Sequence, residues 1–191
     1  MILLALVAAA AAVLAEAAAP VAERPRQESV NPRAAALAEF QQRLKGYLEL
    51  RNEVKKREPA PKPTEDPNDL VGRQERLARA IAAERKGAKP GDVFGTDVPP
   101  MLKKAIAEDL RRRSVAERAA AFQEVPKNLR LGVNDTYPKS IPLATVPPRL
   151  LAALPQLPDG LEYRFVGQRL VLLDTTANLV VDILHGAVPA R

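Results

Sequence analysis

This 191-residue sequence predicts an α+β protein. Its N-terminal half should be extended and helical, a helical hairpin plus short helices, and its C-terminus a small three-stranded antiparallel meander. Three observations carry the prediction. Two apolar stripes at helical spacing each follow an Asx-Pro pair (Asn31-Pro32, Asp66-Pro67), and three short β-rich runs lie between residues 161 and 184. Charge also divides along the chain. Residues 131–191 carry five basic side chains (Lys139, Arg149, Arg164, Arg169, Arg191) against five acidic (Asp135, Asp159, Glu162, Asp174, Asp182), so the whole net charge of +6 falls in the helical part.

The elements follow in order. Ile2 to Ala15 is an uninterrupted apolar run, the length of a signal-peptide core and short for a membrane span of about 20 residues. Ala15-Glu16-Ala17 has the small-x-small form of a cleavage site, so residues 1–17 read as a signal peptide cut after Ala17. Val13-Leu14-Ala15 offers a second site. No Lys or Arg precedes the run, and two other readings stay open: an uncleaved anchor over residues 2–19 and an Ala-rich core helix. Residues 18–30 read as a flexible tether.

Asn31 then supplies an N-cap and Pro32 the first helical position, where a missing N–H costs nothing. Leu37, Phe40, Leu44, Tyr47, Leu48 and Val54 mark one face of an amphipathic helix that ends at Lys55-Lys56-Arg57. The proline-rich stretch 58–63 stops it as an extended linker. Asp66-Pro67 opens a second helix with Leu70, Leu77 and Ile81 on one face, closing at Gly87 and Pro90. Residues 31–88 thus predict an antiparallel hairpin or a short coiled-coil arm.

Residues 89–191 predict a small α+β domain. A helix begins near Pro99-Pro100 with Met101, Leu102, Ile106 and Leu110, ending at Arg111-Arg112-Arg113. Ser114-Val-Ala-Glu117 is a capping box for a short helix to about Glu124. Asn134 to Pro138 is turn chemistry, Ile141 to Val146 a short extended piece, and Pro147-Pro148 the start of one helical turn through Leu154. Leu161–Val166 alternates, with Leu161, Tyr163 and Phe165 on one face. Leu170–Leu173 and Leu179–Leu184 are denser, and Gly167 to Arg169 and Asp174 to Asn178 make the turns of a meander.

Composition bounds the chemistry. The sequence has no Cys, no Trp and one His, so disulfide scaffolds, thiol enzymes, Cys-based metal sites, lipid acylation at Cys and multi-His chemistry are excluded. His185 stands without companion ligands, and no metal site or cofactor is predicted. Gly87-Ala-Lys-Pro-Gly91 lacks the Gly-Lys-Ser/Thr ending of a phosphate loop. No Ser sits in a Gly-x-Ser-x-Gly elbow. Asp174 should pair near Leu179 and Asp182 near Val171, so the two are not neighbours; Asp174 reads as a turn starter and Asp182 as a solvent-facing residue. Lys55-Lys56-Arg57 and Arg111-Arg112-Arg113 sit at helix C-termini, where cations complement the dipole. Aromatics that could stack on bases are scarce, and nucleic acid is not an expected partner.

The stretch from Pro147 to Gly160, followed by Leu-Glu-Tyr-Arg-Phe-Val-Gly167, Leu-Val-Leu-Leu-Asp174 and Val-Val-Asp-Ile-Leu184, resembles the C-terminal module of exported bacterial proteins of the RcnB and CigR type. The resemblance covers about 40 residues. It implies an envelope or periplasmic protein with a non-enzymatic role, in that group metal homeostasis or regulation, but this chain lacks the histidine-rich tracts of the metal-related members. The expectation is a non-catalytic exported accessory or interaction protein, with no nucleic acid partner and membrane contact only through an uncleaved residue 2–19 segment. Its partner stripe would be Leu37, Phe40, Leu44, Leu70, Leu77 and Ile81, offered to itself or to an envelope protein, and deleting residues 31–88 should leave a folded β-module. The alternative is an envelope-surface or polyanion binder that uses the basic helical half.

Overall fold

A computed structural model describes residues 31–58, 67–122, 129–141 and 144–189. The expected signal and tether (1–30), most of the proline-rich linker and the residues just after Phe122 lie outside the described residues. The fold class is α+β. Along the chain run α1 (Pro32–Arg57), α2 (Pro67–Glu84), α3 (Val98–Arg111), α4 (Val115–Phe122), β1 (Ala144–Thr145), α5 (Pro148–Leu151), β2 (Leu161–Val166), β3 (Arg169–Asp174) and β4 (Leu179–Leu184).

Local chemistry sets the helix ends. Asn31 Oδ1 accepts the Arg33 amide at 3.0 Å and Pro32 occupies the first turn, while Lys55, Lys56 and Arg57 complement the last one. Ser114 and Glu117 cap each other: the Ser114 amide donates to Glu117 Oε2 at 2.7 Å, and the Glu117 amide to Ser114 Oγ at 3.2 Å. That donation, with the nearby Ser114 hydroxyl, holds the Glu117 carboxyl below its usual pKa.

The sheet is antiparallel in the order β1-β2-β3-β4. The three expected strands form its body, and the short extended piece adds β1 at the β2 edge, with Ala144 opposite Phe165 and Thr145 opposite Arg164. Between β3 and β4 the register shifts at Leu172/Leu173, so Leu172 faces Asp182 and Leu173 faces Val180. Val181 is the extra residue of a bulge. The bulge moves Asp182 one position from its expected place opposite Val171. The outer edge of β4 is not open. Asn134 N donates to Val180 O at 2.8 Å, Val180 N to Asp135 O at 2.9 Å, and Tyr137 N to Asn178 O at 3.0 Å.

Cross-strand pairing puts Leu161, Tyr163, Phe165, Leu170, Leu172, Asp174 and Asp182 on one face of the sheet. α1 and the loop before α3 reach this side: Tyr47 of α1 meets Asp174, and residues 91–94 meet Asp182. The opposite face carries Val171, Leu173, Val180 and Ile183, and these are buried too. Residues 129–131 run past this face, held by Arg169, whose guanidinium donates to the Leu129 and Leu131 carbonyls at 2.6 and 3.1 Å. Burial on both faces is why β3 and β4 read as dense apolar runs.

Residues 31–191 form one compact unit. Phe40, Leu44, Tyr47 and Val54 of α1 and Leu77, Ala78 and Ile81 of α2 belong to the same apolar cluster as the strands. Each large side chain buried there contributes about 1.5–3 kcal/mol. An antiparallel arm would set Arg57 beside the start of α2. Instead Arg57 Nη1 meets Glu84 Oε1 at 2.6 Å and Glu58 meets Arg76 at 3.8 Å. Arg85, just past α2, lies over the Tyr47 ring, 5.1 Å from its centroid. The two helices are in contact, and their C-terminal ends meet.

Candidate functional site

Two aspartates in the sheet are fully buried, and each is held by four donors. Asp174 ends β3. Its Oδ2 accepts the Tyr47 hydroxyl at 2.7 Å and Arg51 Nη1 at 3.3 Å, while Oδ1 accepts the amides of Thr176 at 2.8 Å and Ala177 at 3.1 Å. The last two bonds are the turn-starting role expected of it, an Asx turn. The first two tie α1 to the sheet. Burial first, and then the Asp174 charge, push the Tyr47 phenol far above its ordinary pKa. The site leaves no room for a side chain at Gly160 (φ +81°): a Cβ there would stand 2.9 Å from Thr176 Oγ1 and 3.0 Å from Arg51 Nη1.

Asp182 corrects the sequence-based expectation. It does not face solvent. Its Oδ1 accepts the Gly91 and Ile183 amides, each at 2.7 Å, and its Oδ2 accepts Val93 at 2.8 Å and Phe94 at 2.7 Å. The 87–97 loop folds around this carboxylate, with Gly91 at φ +94°. An anion inside a sheet is tolerated because converging N–H dipoles replace the water it loses. The loop then carries Phe94 against Phe40, ring centroids 5.9 Å apart and nearly parallel at 10°.

Arg85 joins the two clusters. Its guanidinium donates to Asn134 Oδ1 at 3.0 Å and to the Val181 carbonyl at 2.9 Å, and Asn134 Nδ2 donates back to the Arg85 carbonyl at 2.9 Å. Burial lowers its pKa below the ordinary arginine value, opposed by the carboxylates of Asp182 and Asp92. The bulge at Val181 turns a strand carbonyl toward this side chain instead of toward β3.

The partner stripe is divided by the fold. Phe40, Leu44, Leu77 and Ile81 are spent in the protein's own core, Leu37 is half-buried, and Leu70 remains 54% exposed at the start of α2. Leu44 also floors an open groove of about 450 Å³ with Gln41, Lys45 and Leu48 of α1 and Gln156, Leu157 and Pro158 of the segment after α5. The groove has an aliphatic floor, two amides able to bond a peptide backbone and one cation. His185 is exposed at the end of β4. Among the described residues no group of three or more His, Cys, Asp or Glu is placed to hold a metal ion, and no helix is long and apolar enough to cross a membrane.

Tyr47, Arg51, Arg85 and the 91–94 amides were not singled out from sequence. The signal available was Asp182 itself, flanked by Val180, Val181, Ile183 and Leu184: an aspartate inside a wholly apolar run has to find donors. Comparison with known proteins adds no relative: no family model, curated protein or solved structure matches the chain.

Proposed function

We propose that this chain is a non-catalytic accessory or interaction protein of the bacterial envelope, exported on residues 1–17, whose partner face is the α1 groove. The observation that carries the reading is the commitment of Asp174 and Asp182. Acid–base chemistry needs a carboxylate with a free lone pair facing substrate, and each of these has four donors from its own chain. The apolar N-terminal run and the strand sequences that resemble the RcnB and CigR module support the compartment. The groove supports the binding role, since Gln41, Leu48, Gln156 and Leu157 offer amide and aliphatic contacts on a rigid helix.

The test is a photo-reactive residue at Gln41 in the native host, with the same residue at exposed Glu53 as control. A discrete adduct in the envelope fraction, formed from position 41 and not from 53, is the expected result. Full-length chain recovered from the cytosol would overturn the compartment. Adducts that do not distinguish the two positions would overturn the groove.

A further inference from the structure

We infer that the outward face of α3 is a docking surface for a membrane bearing anionic phospholipid. This goes beyond the groove reading and does not use it. The argument starts from where the positive charge is left after pairing. Along α1 and α2, Arg43 pairs with Glu39, Lys45 with Glu49, Arg51 with Asp174, Lys56 with Glu53, Arg57 with Glu84, Arg76 with Glu58 and Arg79 with Glu75. The helical half is basic by sequence, yet most of that charge is answered locally.

On α3 it is not. Val98, Leu102, Ile106 and Leu110 are its buried stripe. A turn of 100° per residue puts Lys104 and Arg111 opposite that stripe, with Lys103 and Arg112 on its flanks. All four are exposed. None of the four has an ion pair or side-chain hydrogen bond among the described residues, whereas Arg113 beside them is bound to Asp109 at 2.5 Å. Two acids share this side without an ion pair among the described residues, Glu108 between Lys104 and Arg112 and Asp97 at the helix start, so the cations outnumber them four to two. Helix-dipole complementation accounts for cations at 111 and 112, but Lys103 and Lys104 stand in the middle of the helix, beyond the last turn.

Lys104 and Arg111 share the outward side, Lys103 and Arg112 stand on its two opposite margins, and together they give the solvent half of α3 a positive charge suited to a polyanion; the surroundings select the kind. α3 itself carries no aromatic ring on which a base could stack. Exposed aliphatic side chains lie close by in the chain or on a packed neighbour: Val115, 68% exposed, three residues after Arg112, and Leu151, 48% exposed on α5, the helix that packs against α3. Cations flanked by short aliphatic side chains match a headgroup layer over acyl chains.

The experiment is flotation of the full chain with phosphatidylglycerol-containing vesicles and with pure phosphatidylcholine vesicles. Two charge-matched variants are compared. One is Lys103→Gln, Lys104→Gln, Arg111→Gln, Arg112→Gln; the other places the same number of neutral residues at exposed positions elsewhere, Arg33→Gln, Lys55→Gln, Lys86→Gln, Lys89→Gln. The apolar N-terminal run is common to all proteins, so differences report the face. Each cation removed from a lipid-facing site weakens partitioning by about fivefold. The α3 variant should therefore lose at least about a hundredfold on anionic vesicles and nothing on neutral ones, and the control variant should bind like the parent. Equal losses in both variants would mean net charge and not a face, and would overturn the inference. So would an unchanged α3 variant, or a single-stranded oligonucleotide that displaces vesicles from the same four residues.

Discussion

Asp182 shows how much stability a single side chain holds when its partners are backbone amides. Three of its four donors, Gly91, Val93 and Phe94, come from the 87–97 loop and have no other place in a ladder. Asp182→Ala strands these amides in a dry site, and each orphaned donor costs about 1–3 kcal/mol, partly recovered where water enters. We expect a loss of about 3–5 kcal/mol by urea denaturation. Tyr47→Phe removes only one of the four donors to Asp174 and should cost about 1 kcal/mol. If Asp182→Ala proved as mild as Tyr47→Phe, the carboxylate would not be what holds the loop. Gly160→Ala tests the other cluster. Its Cβ meets Thr176 Oγ1 at 2.9 Å in a left-handed backbone, so it should destabilise by about 2–3 kcal/mol, and removing the guanidinium contact with Arg51→Ala should not rescue it.

Elements were more legible than their docking. Both ends of α1 follow from Asn31-Pro32 and the cationic last turn, and the three main strands follow from alternation and turn residues, because these signals are local. Where α1 and α2 meet was not readable. The apolar stripe on each helix is the same whether it faces a paired helix or a sheet, and only the buried anchors Tyr47, Arg51 and Arg85 distinguish the two. The bulge was equally hidden, since Val180-Val181 is as good a strand pair as any and the selecting partner, Arg85, lies almost a hundred residues away. The candidate site suffered most: its polar contacts span the chain from Tyr47 to Asp174. A prediction follows against the modular expectation. Residues 89–191 expressed alone lose the α1 and α2 side chains that cover the sheet and the Tyr47 and Arg51 donors that satisfy Asp174. That fragment should show no cooperative unfolding transition by circular dichroism, whereas residues 31–191 should unfold in one step. A sharp transition in the shorter fragment would restore the independent β-module.

At the scale of the whole molecule, all three tyrosines, Tyr47, Tyr137 and Tyr163, have their phenol pKa raised by burial, Tyr47 with the added push of Asp174 and Tyr137 against the pull of Arg164. Such a shift has a definite sign. Below about pH 10 each phenol is protonated in folded and unfolded chains alike, and pH does not touch this contribution. Above about pH 10 the unfolded chain gives up these protons while the folded chain keeps them, so the unfolded state binds fewer protons and stability falls as pH rises. The slope is about 1.4 kcal/mol per pH unit for each of Tyr47 and Tyr163, which carry the large shifts. Because Tyr47 and Tyr163 lie in one cooperative unit, their phenolate absorbance should not grow gradually through the folded baseline. It should appear together with the loss of circular dichroism, in a single alkaline transition. The Tyr47→Phe, Tyr163→Phe double variant should start from a lower stability yet lose it more slowly with pH, by about 2.7 kcal/mol per unit less than the parent. Parallel pH profiles for parent and variant, or phenolate formed well before unfolding, would mean that these hydroxyls meet solvent in the folded chain and that the Tyr47–Asp174 anchor opens without the rest.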